Sequence, residues 1–137
     1  MAPFSKKSRE ASHAPAPTDG ELAILQALWT RGPSTVREVH EHLGRDVGYT
    51  TVLKLLQIMT EKGLVKRDDE ERSHVYAAAQ PAQATQRRLL KDLLEKAFAG
   101  SASQLVLQAL SAKRASPEEL AEIRKLLDEH EKKAGGE

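Results

Sequence analysis

Cysteine is absent from this chain, which excludes disulfides, thiolate-bound metal and thiol catalysis. Long hydrophobic runs are missing as well. The longest purely apolar stretch is a few residues, so the sequence holds no transmembrane helix or secretory core and is expected to be a soluble, cytoplasmic protein with no membrane insertion. Neither sign of charge dominates: Lys and Arg total 21 against 20 Asp and Glu, a formal net charge of +1. That sum neither demands nor excludes nucleic acid, and the placement of charge decides. No glycine-rich phosphate loop or metal-binding helix motif occurs. His40 and His42 lack a cysteine or carboxylate cluster at a recognised metal spacing and read as surface or edge residues. No metal, cofactor or catalytic residue is expected, because acid and base work needs groups converging in a cleft.

What is present is a series of helical patterns. The 137 residues suffice for one domain, or a small domain with an appendage. Residues 1–17, "MAPFSKKSREASHAPAP", have no apolar period and read as a flexible N-terminal arm in which Lys6, Lys7 and Arg9 are available to a polyanion. Leu22, Leu25, Leu28 and Trp29 then recur at helical spacing. Thr18 or Asp19 caps the start and Gly32 with Pro33 ends the run, predicting a helix over about 19–30 with Trp29 as core filling. Thr35 and Glu38 are spaced for a capping box before a short helix carrying Val36, Val39 and Leu43, which Gly44 stops.

The stretch "GYTTVLKLLQIMTEKGLVKRDDEERSHVYAA", residues 48–78, predicts a helix and then a hairpin. Val52, Leu55, Leu56 and Met59 form a core stripe, leaving Thr50, Thr51, Lys54, Gln57, Glu61 and Lys62 on the polar side. Hydroxyl, amide and ammonium groups near a helix N-terminus suit base edges and phosphates. After Gly63, "LVKR" and "RSHVYAA" read as two strands around the charged turn "DDEE", with Lys66, Arg67, Arg72 and His74 clustered on or near the hairpin. Two helices with a turn, followed by such a hairpin, make a winged helix. The four acidic residues at the tip would repel phosphate; they read as a solvent loop that caps the turn or pairs with Arg67 and Arg72.

The second half predicts three amphipathic helices. Leu89, Leu90, Leu93, Leu94, Ala97 and Phe98 share one side of the first; Leu105, Val106, Ala109 and Leu110 follow, capped by Ser101 or Ser103. Ser116, Pro117 and Glu119 open the third, which carries Leu120, Ile123, Leu126 and Leu127. So much leucine on three short helices calls for a second copy, and twofold pairing is the commonest solution. The fold class is therefore mainly α with a small β-hairpin wing: a flexible arm at 1–17, a winged helix-turn-helix at 18–82, a helical dimerisation region at 83–131, and a flexible tail at 132–137.

Taken together, "ELAILQALWTRGPSTVREVHEHL", the 49–78 stretch and "FAGSASQLVLQALSAKRASPEELAEIRKLLDE" resemble the penicillinase and methicillin-resistance repressor family, which includes a copper-responsive branch. The resemblance implies a homodimeric transcriptional repressor bound to palindromic double-stranded operator DNA of β-lactamase or other stress-response genes, hence a link to antibiotic resistance. It also implies relief by a sensor-linked protease cutting near Ala97 and Phe98, where well-known staphylococcal members have asparagine in place of Ala97. The paired C-terminal cysteines of the copper-responsive branch are missing here. A winged helix that binds only protein is the competing class, and sequence-dependent, salt-sensitive binding of duplex DNA separates the two.

Overall fold

The computed structural model describes residues 15–70 and 72–135. Lys6, Lys7 and Arg9, which the sequence makes available to a polyanion, lie outside the described residues. The described chain runs α1 (Asp19–Arg31), β1 (Ser34–Thr35), α2 (Val36–Leu43), α3 (Tyr49–Lys62), β2 (Val65–Asp68), β3 (Val75–Ala78), α4 (Ala82–Phe98), α5 (Ala102–Ala112) and α6 (Pro117–Gly135). This is the order of a winged helix followed by three helices. Two compact units divide within α4, one ending at Lys91 and the other beginning at Asp92.

Helix starts follow the capping chemistry legible in the sequence. At α2, Thr35 Oγ1 accepts from Glu38 N at 3.2 Å while Glu38 Oε1 accepts from Thr35 N at 2.9 Å. The same reciprocal box joins Ser116 and Glu119 at α6. A third box, Thr18 with Glu21, opens α1 and resolves the choice of cap in favour of Thr18. Each box satisfies two amides that a helix start would otherwise leave unpaired. At the other end of α3, Gly63 adopts a left-handed conformation (φ 84°, ψ 14°), where a side chain would be strained. Leu64 N then donates to Met59 O at 2.9 Å and turns the chain into β2.

The core of the first unit is formed by Ile24, Leu25, Ala27 and Leu28 of α1, Val36 and Val39 of α2, Val52, Leu56 and Met59 of α3, and Val65 and Tyr76 of the sheet. Leu55 is half-buried at the margin of its stripe, and Trp29 is half-buried with its indole N–H donating to Gln80 O at 2.9 Å. The wing departs from the two-stranded expectation. It is a three-stranded antiparallel sheet in the order β1-β3-β2, with Ser34 opposite Tyr76 and Thr35 opposite Val75. β1 has only two residues, too few for an alternation to register in sequence.

One polar residue is also displaced from its expected place. Lys62, assigned to the wet side of α3, extends its ammonium to within 2.7 Å of Glu21 Oε2. Glu21, in the first turn of α1, is buried, and a buried carboxylate needs a compensating charge. Lysine's long stem lets the last turn of α3 supply it while part of the head stays in water.

The three C-terminal helices are built differently. No residue of α4, α5 or α6 is fully buried. Leu90, Leu93, Val106, Leu107, Leu110, Leu126 and Leu127 are exposed, Leu127 to 60%. Leu89, Leu94, Phe98, Leu105, Leu120 and Ile123 are half-buried. α6 continues to Gly135, beyond the end at 131 expected from sequence; no breaker intervenes, and Lys132 and Lys133 complement the negative end of the helix dipole.

Candidate nucleic-acid interface

Helix α3 presents Thr50, Thr51, Lys54 and Gln57 to solvent, all four exposed. At 3.6 residues per turn, Thr50, Lys54 and Gln57 form one stripe opposite Val52, Leu56 and Met59, with Thr51 at its edge. The helix has no side-chain cap at Gly48 and no acid in its first turn. Its first amides and dipole therefore favour an incoming anion, unopposed by a carboxylate.

The other edge of the same helix faces the wing. A cleft of about 860 Å³ is lined by Arg37, His40 and Glu41 of α2, Tyr49 and Leu53 of α3, and Arg72, Ser73 and His74 leading into β3. Two of the sequence-predicted side chains, Arg72 and His74, thus stand across a single cleft from the start of α3. His40 Nε2 lies 2.8 Å from Val47 O, and its ring meets Tyr49 edge-on at 5.8 Å. These contacts tie α2 to the turn that launches α3, so the expected edge residue His40 helps to fix the angle of α3.

Tyr49, 48% exposed at the first position of α3, and Arg37 on the exposed side of α2 were not picked out by sequence. Their signals were present, an aromatic residue at a polar helix start and a base beside the α2 cap. Periodicity counts only what faces the core and passes over both.

Wing charge is arranged around Asp69. Arg67 Nε lies 2.8 Å from Asp69 Oδ1, and His74 Nδ1 lies 2.7 Å from the same oxygen. The Tyr76 hydroxyl, opposite Arg67 in the ladder, and the Asp69 carboxylate both favour the charged guanidinium and raise its pKa. Arg67 is thus engaged by the acidic tip in the unbound protein, the pairing that sequence left open. Asp68 turns inward on the loop, its Oδ1 accepting from Glu70 N at 2.9 Å. Among the described residues Arg72 and Lys66 enter no ion pair within 4.0 Å.

Among the described residues no group of three His, Cys, Asp or Glu is placed to hold a metal. Among the same residues no helix is long and apolar enough to cross a membrane.

The chain matches the penicillinase repressor family over residues 17–129. It is 35% identical over 116 residues to the transcriptional regulator BlaI of Mycobacterium tuberculosis, in strains H37Rv and CDC 1551 alike, covering 82% of this chain and 83% of the relative. Among solved structures it is similar to a MarR family protein from Bacillus stearothermophilus at 20% identity and a TM-score of 0.48, covering 98% of this chain and 86% of that one. The family match begins at the cap of α1, takes in the α3 surface and the wing, and ends within α6: this chain belongs to the penicillinase repressor family.

Proposed function

We propose that this chain is a non-enzymatic, DNA-binding transcriptional repressor that acts in the cytoplasm as a homodimer on palindromic operators. The observation that carries the reading is the uncapped, acid-free start of α3, exposing Thr50, Thr51 and Lys54 beside a wing that offers Arg72 and His74. Inserted in the major groove, the first turns of α3 read base edges while Arg72 holds flanking phosphate. Lys54 serves either purpose. Arg67 and His74 join the phosphate contacts when DNA competes with Asp69 for them.

Dimerisation is supported by the leucines that α4, α5 and α6 leave in water. Leu89, Leu90, Leu93, Leu94, Phe98, Leu105, Val106, Leu110, Leu120, Ile123 and Leu127 are assigned to the twofold interface, joined by Leu107 and Leu126. A twofold pair sets two reading helices about 34–36 Å apart, one turn of duplex.

Relief by a sensor-linked protease would act near Ala97 and Phe98, in the last turn of α4. Ala99 follows at φ 49°, an uncommon conformation for a residue with a side chain, and Gly100 at φ 80°. Gly100 N donates to Leu94 O and Ser101 N to Phe98 O, each at 2.9 Å, so this helix end is capped and cleavage there would require the last turn to open.

Genome-wide mapping of bound sites with transcript comparison after deletion tests the function. Occupied inverted repeats whose downstream transcripts rise on deletion are expected. Absence of enriched sites, or transcripts that fall consistently, would replace the reading with a protein-binding module or an activator.

A further inference from the structure

A second concave site lies away from the proposed DNA surface. It is a cleft of about 330 Å³ between α1, the end of α3 and the first turns of α4. Its apolar wall is made by Pro17, Leu25 and Leu64, and its other wall carries Arg87, Arg88 and Lys91. We propose that this cleft binds a small organic carboxylate with a compact apolar body.

Charge complementarity selects the acid group. Three cations line the cleft, and no Asp or Glu does. Among the described residues, none of the three has a carboxylate within 4.0 Å. Their spacing along α4 puts Lys91 on the same edge as both arginines, and Arg88 is half-buried while Arg87 and Lys91 are exposed. A guanidinium matches a carboxylate with two parallel hydrogen bonds.

The apolar wall selects the body. Leu25 is buried in the domain core, and Leu64 packs against it, so this wall is rigid. The volume is near the lower end of small-molecule sites, which run from about 300 to 1,000 Å³, and accommodates a ring better than a long chain. Gly63 also lines the cleft and stands 12 residues beyond Thr51. At 1.5 Å per residue that is about 18 Å along α3 from the proposed base-reading end.

The chain carries its own reporter. Trp29 is the single tryptophan, and its indole N–H is bonded to the carbonyl of Gln80, which lines the cleft. Titrating the full chain with cyclohexanecarboxylate should give a saturable change in Trp29 emission, and saturation-transfer NMR should show the ring protons in contact with protein. Cyclohexylmethanol, with the same body and no charge, and inorganic phosphate, with charge and no body, should each bind at least about tenfold more weakly.

Arg88→Ala should weaken the carboxylate about tenfold, and Ala84→Phe, at another lining position, should block it. Lys91→Ala replaces Arg88→Ala if circular dichroism shows that variant unfolded. Equal binding of cyclohexylmethanol, or of phosphate, would overturn the proposal, the latter by showing a general polyanion patch. So would the absence of saturation transfer at millimolar ligand, or affinity unchanged in the variants. The readout is ligand occupancy rather than operator affinity, so this result and the DNA-binding reading stand or fall separately.

Discussion

Replacing Lys62 by alanine should destabilise the protein far more than loss of an ordinary surface ion pair. The Glu21 side chain is 2% accessible, and Lys62 Nζ lies 2.7 Å from its Oε2. Removing one partner of a buried pair costs about 3–5 kcal/mol, because the remaining charge is left uncompensated. Two features reduce that figure. The Lys62 side chain is 31% accessible, so water already screens its ammonium. The other Glu21 oxygen also keeps its bond from Thr18 N at 2.9 Å. We expect a loss of about 2–3 kcal/mol at pH 7, read by urea unfolding at one fixed protein concentration.

The pH dependence provides an internal check. Burial alone would raise the Glu21 pKa, but the hydrogen bond and charge of Lys62 and the Thr18 contacts outweigh it, leaving the carboxyl below its ordinary value of 4.5. A depressed folded pKa means that the pair's contribution is present above about 4.5 and is lost as pH falls through the folded value. The deficit of Lys62→Ala should therefore shrink on acidification below that point. A loss within about 0.5 kcal/mol at pH 7, the scale of an exposed pair, or a deficit independent of pH, would refute the reasoning.

Thr51→Ala should weaken operator binding about tenfold more than binding to random duplex in fluorescence anisotropy; equal loss on both would remove Thr51 from base reading. Asp69→Ala, by releasing Arg67 and His74, should raise affinity for both duplexes and steepen the salt dependence by about one unit, whereas an unchanged slope would leave those side chains off the phosphates. Leu93→Asp should yield the single-chain mass in sedimentation equilibrium at micromolar concentration, and a persistent double mass would relocate the interface away from α4.

Features set by neighbours in the chain were the legible ones. Thr35 with Glu38 and Ser116 with Glu119 declare their helix starts because a capping box is complete within four residues. Gly63 likewise declares the end of α3. Contacts between distant segments left no such mark. Lys62 reads as a wet-side residue until α1 brings Glu21 beneath it, 41 positions away. β1 is visible only through its pairing with β3, and the partition of the wing's charge around Asp69 depends on how the tip folds back. The α3 surface was legible because its polar positions follow from the same period as its core. Tyr49 and Arg37 were not, since they belong to a cleft that α2, α3 and the wing create together.

The central claim, sequence-specific recognition of duplex DNA by a dimer through α3, is tested most directly by titrating the full chain onto an inverted repeat taken from its mapped sites and onto a scrambled duplex of equal length. Both titrations should be followed by anisotropy across a salt series, with stoichiometry determined by sedimentation. The account predicts two chains per repeat and affinity at least about 10³-fold tighter for the repeat than for the scrambled duplex at physiological salt, with both affinities falling as salt rises. One chain per duplex, or equal affinity for the two sequences, would contradict it.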